Sequence, residues 1–78
     1  MSSTKSLRQI LANNIKNLRM ISNYSQEEFA DLCGLHRTYI SDVERCNRNI
    51  SIDNIDRIAH ALNITASELL KEDLYDNK

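Results

Sequence analysis

The sequence predicts an all-α chain folded as a compact five-helix bundle, and three observations carry that prediction. The 78 residues contain one Gly and no Pro, apolar residues recur at three- and four-residue spacing, and a capping signal precedes nearly every periodic run. Turn-rich sandwiches and barrels, which need frequent Gly and Pro, are excluded. Hydrophobic residues make up 41% and charged residues 27% of the chain. That is enough apolar side chain for one core and enough charge for solubility, so residues 1–78 read as a single domain. A core of this size is marginal alone, which makes a partner subunit an expectation from the outset.

Each helix can be justified in turn. Leu7, Ile10, Leu11, Ile15, Leu18 and Ile21 form one apolar stripe, and Ser6 with Gln9 makes a capping box ahead of it, giving a first helix over 7–22. Ser25 with Glu28 is a second box, Tyr24 can staple onto Phe29, and the second helix runs from Gln26 to Cys33, where Gly34 stops it. His36, a poor cap, opens the third helix, with Leu35 stapled to Ile40, and the helix ends near Arg45. Asn47 and Asn49 suit a loop. Ser51 caps the fourth helix, whose buried stripe is Ile52, Ile55, Ile58, Ala59 and Leu62, with Ile50 stapled to Ile55. Thr65 with Glu68 caps the fifth, which ends by Asp73 and leaves 74–78 as a tail.

Charge and cysteine usage bound the function. Net charge is −1, but residues 1–49 hold seven Lys/Arg against five Asp/Glu, while residues 50–78 hold three against six. The two ends therefore face different partners. No apolar run approaches the roughly 18 residues of a membrane span, and the polar start lacks a signal peptide, so a cytoplasmic protein with free thiols at Cys33 and Cys46 is expected. Cys33 and His36 have zinc-like spacing, yet thirteen residues separate Cys46 from His60, which fits no structural zinc site. With no phosphate loop or paired catalytic carboxylates either, the chain reads as a non-enzyme without metal or cofactor.

The informative stretch is 26–45. The single glycine, Gly34, lies between two helices at a sharp turn that needs a left-handed backbone. Ala30, four residues earlier, permits close approach, and Ile40 and Val43, six and nine residues later, can pack back. Gln26, Phe29, Ala30, Cys33, Gly34, Leu35, Ile40 and Val43 together have helix-turn-helix spacing, although an ordinary αα-corner makes the same steric demands. With Ile40 and Val43 inward, the outer face of the third helix carries Thr38, Asp42 and Arg45, with Ser41 at its edge and Arg37 and Tyr39 flanking.

That face suits double-stranded DNA. Arg37 and Thr38, at the end that enters the major groove, are the expected base readers: a guanidinium for guanine N7 and O6, a hydroxyl and methyl for neighbouring bases. Gln26, Tyr39, Ser41, Arg45, Asn47, Arg48 and Asn49 are the expected backbone or flanking contacts, with Lys16 adding to the basic surface. Asp42 would repel phosphate unless it accepts from a cytosine amino group or pairs with Arg45 one turn on, and the pair with Arg45 is the favoured reading. The competing reading is a protein-interaction module, antitoxin-like, that keeps the fold without DNA contact.

The run from Ile15 to Leu69 resembles the helix-turn-helix domain of the phage Cro and repressor family. His-Arg-Thr-Tyr-Ile-Ser-Asp-Val-Glu-Arg-Cys-Asn-Arg-Asn-Ile-Ser, residues 36–51, is more similar still to the controller proteins of bacterial restriction-modification systems. The resemblance implies a homodimer on a palindromic operator that activates its own and the endonuclease gene and represses them at higher occupancy; a phage or plasmid repressor is the alternative. It also implies an ion pair between Arg19 and Glu44. His36 and Cys46 depart from the controller pattern. For dimerisation the resemblance points to the last two helices, and so do the residues, because a fifth helix this short cannot hold itself. Ile64, Ser67 and Leu70 are the expected interface, with Leu74 and Tyr75 as a possible extension. So small a core leaves no room for an effector ligand.

Overall fold

The computed structural model describes residues 6–72. They form five helices: α1 (Leu7–Ile21), α2 (Gln26–Cys33), α3 (Arg37–Glu44), α4 (Ile52–Leu62) and α5 (Ala66–Leu69). Complete capping boxes stand at Ser6–Gln9, Ser25–Glu28 and Thr65–Glu68, and Ser51 caps α4 through Asn54 N–H. The His36 side chain makes no capping hydrogen bond, which leaves the N-terminus of α3 open. Tyr24 does reach Phe29 across the first turn of α2, with ring centroids 6.2 Å apart.

All four connections leave their helices in the same way. Tyr24 N–H donates to Arg19 O and Asn23 N–H to Met20 O, and the pattern repeats at Leu35/Gly34, Asn47/Cys46 and Ile64/Asn63. This paired closure requires a left-handed residue just past the helix. Asn23, Gly34, Cys46 and Asn63 supply it, with φ of 64, 74, 63 and 62°. Glycine and asparagine suit that conformation; for Cys46 the β-carbon costs roughly 1–2 kcal/mol.

Each helix contributes one side chain to the centre. Ile15, Phe29, Ile40, Ile58 and Leu69, one from each of α1 to α5, are the largest fully buried residues. Around them lie Leu11, Leu18, Ala30, Cys33, Val43 and Ala59. Cys33 is deep enough that burial pushes its thiol from 9.0 up to about 11, so it stays protonated and unreactive at neutral pH.

The four-residue α5 is held by a buried asparagine on α1. Asn14 Nδ2 donates to Leu69 O at 2.8 Å and to Lys71 O at 2.9 Å, satisfying carbonyls that the short helix cannot pair itself.

The structure corrects the sequence reading at helix ends. α1 runs to Ile21, with Ser22 as its C-cap, and α5 to Leu69, with Leu70 as its C-cap, both within the expected bounds, but the exposure of the end residues departs from expectation. Leu7, Ile21 and Ile52, expected in buried stripes, are 58%, 64% and 82% exposed. Each is the first or last residue of its helix, and Leu7 and Ile52 border an apolar hollow instead of entering the core. Leu74 and Tyr75 lie outside the described residues. No helix among the described residues is long and apolar enough to cross a membrane.

Replacing Asn14 with Ala should destabilise the chain by about 1–3 kcal/mol, because two carbonyls at the end of α5 lose their donor. Urea denaturation measures it; a loss under 0.5 kcal/mol would mean that water replaces the amide at about equal cost.

Candidate nucleic-acid interface

The position of α3 follows from what surrounds Gly34. Its left-handed φ turns the chain between α2 and α3, and Leu35, half-buried, packs against the core cluster. Ile40 and Val43 are then buried, and the remaining face of α3 is left to solvent. A β-carbon at Gly34 would meet only the flexible tip of Arg57, at 3.3 Å, so the backbone angle and not crowding demands glycine.

The far end of α3 is fixed by a buried charge network. Arg19 Nε donates to Glu44 Oε2 at 2.6 Å and Arg19 Nη2 to Glu44 Oε1 at 3.1 Å, a two-pronged pair whose side chains are only 12% and 3% exposed. Arg19 Nη1 also donates to Tyr24 O at 2.7 Å, and Gln26 Nε2 to Glu44 Oε1 at 3.1 Å. One carboxylate thus joins α1, α2 and α3, and through Arg19 the turn after α1 as well. Gln26, expected to meet phosphate with its amide, has already given one donor to Glu44; one N–H of that amide remains for a phosphate.

On the outer face the expected residues divide into two groups. Arg37 and Thr38 are exposed at the N-terminal end, with no side-chain partner among the described residues. Toward the C-terminal end the charges are linked. Asp42 Oδ1 accepts from Arg45 Nη2 at 2.8 Å and Asp42 Oδ2 from Arg48 Nη1 at 3.3 Å, while the Arg48 guanidinium carbon lies 4.7 Å from the centre of the Tyr39 ring. Ser41 is half-buried at the edge, Asn47 is exposed in the loop, and Asn49 accepts from Arg8 Nη2 of α1. Lys16, also on α1, takes no part in these contacts.

Sequence reasoning missed the second arginine on Asp42, the Arg19 bond to Tyr24 O and three further contacts at the site. Arg8 bracing the loop at Asn49 and Arg48 lying on Tyr39 are long-range or loop contacts with no periodic signal. The third, Gln26 to Glu44, crosses eighteen residues and becomes visible only once α2 and α3 are docked.

Of the residues expected at a dimer interface, Ile64 and Leu70 border two different hollows. Ile64 borders a hollow with Asn63 and Thr65, and Ser67 is exposed. Leu70 belongs to a different, more apolar hollow of about 490 Å³, with Leu7, Leu11, Ile50, Ile52 and Ile55. The exposed Leu7 and Ile52 make the second the larger unpartnered apolar surface.

A glycine-turned helix pair, with the second helix braced from inside and presenting arginine and threonine at its free end, defines a helix-turn-helix protein. Comparison with known proteins agrees and narrows the class. A helix-turn-helix family model matches residues 15–69. The control protein C.BamHI of Bacillus amyloliquefaciens is 46% identical over 68 residues, covering 86% of this chain and 84% of the relative. Among solved structures, a hypothetical transcription factor from Neisseria superposes with a TM-score of 0.85 at 43% identity, covering 92% of this chain and 83% of that one. The restriction-modification controller C.AhdI from Aeromonas hydrophila superposes with a TM-score of 0.76 at 40% identity, covering 80% and 94%. The chain belongs to the helix-turn-helix family of DNA-binding transcription regulators.

Replacing Glu44 with Ala should cost about 3 kcal/mol, since it leaves the mostly buried Arg19 guanidinium without its carboxylate. A thermal melt reads the loss directly; an unshifted midpoint would mean that Arg19 swings out to solvent at no cost.

Proposed function

We propose that this chain is the control protein of a restriction-modification system. It acts in the cytoplasm as a homodimer on a palindromic operator, activating its own and the endonuclease gene and repressing them at higher occupancy. It acts by binding and not by catalysis, and needs no effector ligand. The observation that carries this reading is the unpartnered Arg37–Thr38 pair at the open end of a recognition helix whose other end is locked. It is supported by the 46% identity to C.BamHI.

Arg37 takes guanine N7 and O6 in two-pronged fashion, and Thr38 meets the adjoining base. Tyr39, Ser41, Arg45, Asn47, Arg48, Asn49 and the free N–H of Gln26 hold the sugar-phosphate backbone and set register. A chain of net charge −1 relies on this local cationic edge, so its affinity falls steeply with salt. The second protomer covers the hollow between α1, α4 and α5, with Leu70, Leu7 and Ile52 at its centre and Ile64 and Ser67 toward the rim.

Binding to the DNA immediately upstream of the chain's own gene, measured by fluorescence anisotropy against random DNA at two salt concentrations, tests the proposal. Selective binding with a steep salt slope is expected; equal, weak binding to both would favour the interaction-module reading. Arg37→Ala should cost about 1–3 kcal/mol on the operator and little on random DNA, and an equal loss on both would reduce Arg37 to a phosphate contact. Leu70→Glu should yield monomers by sedimentation, and an unchanged dimer mass would remove α5 from the interface.

A further inference from the structure

Asp42 is out of place on a surface that meets a polyanion. It is the one carboxylate on the outer face of α3, since Glu44 is turned inward to Arg19. Its side chain is 23% exposed, and each of its two oxygens holds a different arginine: Arg45 at the end of α3, Arg48 in the loop beyond. Arg48 is further steadied by the Tyr39 ring. Two guanidinium groups converging on the two oxygens of one small anion is also the arrangement in which arginines hold a phosphate. In the free protein the carboxylate fills that place.

We propose that Asp42 sets the discrimination between operator and bulk DNA by acting as an internal competitor for Arg45 and Arg48. This rests on the assignment of those two arginines to the phosphate backbone. The cluster of two arginines and one aspartate presents one net positive charge instead of two. Non-specific binding is almost wholly electrostatic, so it loses the withheld charge in full. On the operator, base contacts fix the pose of α3, and there the carboxylate has a second effect. It keeps Arg45 and Arg48 at defined positions, so that fewer side-chain rotamers must be frozen when the phosphates arrive. The attenuation falls on all DNA, and the compensating alignment falls only where register is fixed.

Asp42→Asn removes the charge and preserves the shape. Random DNA should bind about fivefold more tightly per protomer at 0.15 M salt, with a log–log salt slope steeper by about 0.9, the yield of one further released counterion. Operator affinity should stay within about twofold, so the ratio of operator to random affinity falls. In the Asp42→Asn background, Arg45→Ala and Arg48→Ala should weaken random binding more than they do in the parent protein. Asp42→Ala repeats the experiment without a side-chain amide, and circular dichroism melts confirm that each variant folds.

Unchanged random-DNA affinity and slope would overturn the proposal. So would equal tightening on both DNAs, which would make Asp42 a bystander charge, or weakening confined to the operator, which would make it a positioning residue alone. A parent protein with no operator preference refutes the base-reading assignment instead, and the two failures are thereby told apart.

Discussion

The Arg19–Glu44 pair is the constraint on which the functional face depends. Buried ion pairs are weak net stabilisers, because the attraction repays little more than the lost hydration. Their value lies in how few alternatives they leave. Glu44 accepts from Arg19 twice and from Gln26 once, and Arg19 reaches Tyr24 O in the turn after α1. Any rotation of α3 about its axis, or slide along it, would separate charges that are largely shielded from water. The hydrophobic contacts of Ile40 and Val43 hold α3 against the bundle; the ion pair selects one orientation among those that such contacts tolerate.

The two ends of α3 differ in how their side chains are engaged. His36 supplies no cap, and Arg37 and Thr38 have no side-chain partners among the described residues. Side-chain hydrogen bonds are therefore concentrated at one end of the helix, and side-chain donors open to solvent stand at the other. A ligand that offers acceptors at the tip completes what the fold leaves open.

Much of this was legible in the sequence because it is local. Capping boxes at Ser6, Ser25 and Thr65 mark helix starts within four residues, and Gly34 marks the turn. What the sequence hid was of two kinds. Helix-end apolar residues such as Ile21 and Ile52 obey the period of their stripes and yet leave the core, since periodicity gives a direction but not where the neighbouring helix stops. Long-range polar contacts, such as Asn14 to the carbonyls of α5 and Arg8 to Asn49, have no spacing rule at all. At the candidate site, the pairing of Asp42 with Arg45 follows from helical spacing, whereas the second arginine at Asp42 depends on the path of the loop.

The four matching helix exits have a bearing on how such a protein can diversify. Each connection is closed by hydrogen bonds spanning six residues and hinges on a single left-handed position. Helix lengths are therefore written locally, and one inserted residue within α3 would turn everything beyond it by about 100° and carry Glu44 away from Arg19. Substitution at the outward positions of α3, by contrast, disturbs neither the exits nor the ion pair. The outward side chains of α3 can thus be exchanged on a backbone held constant.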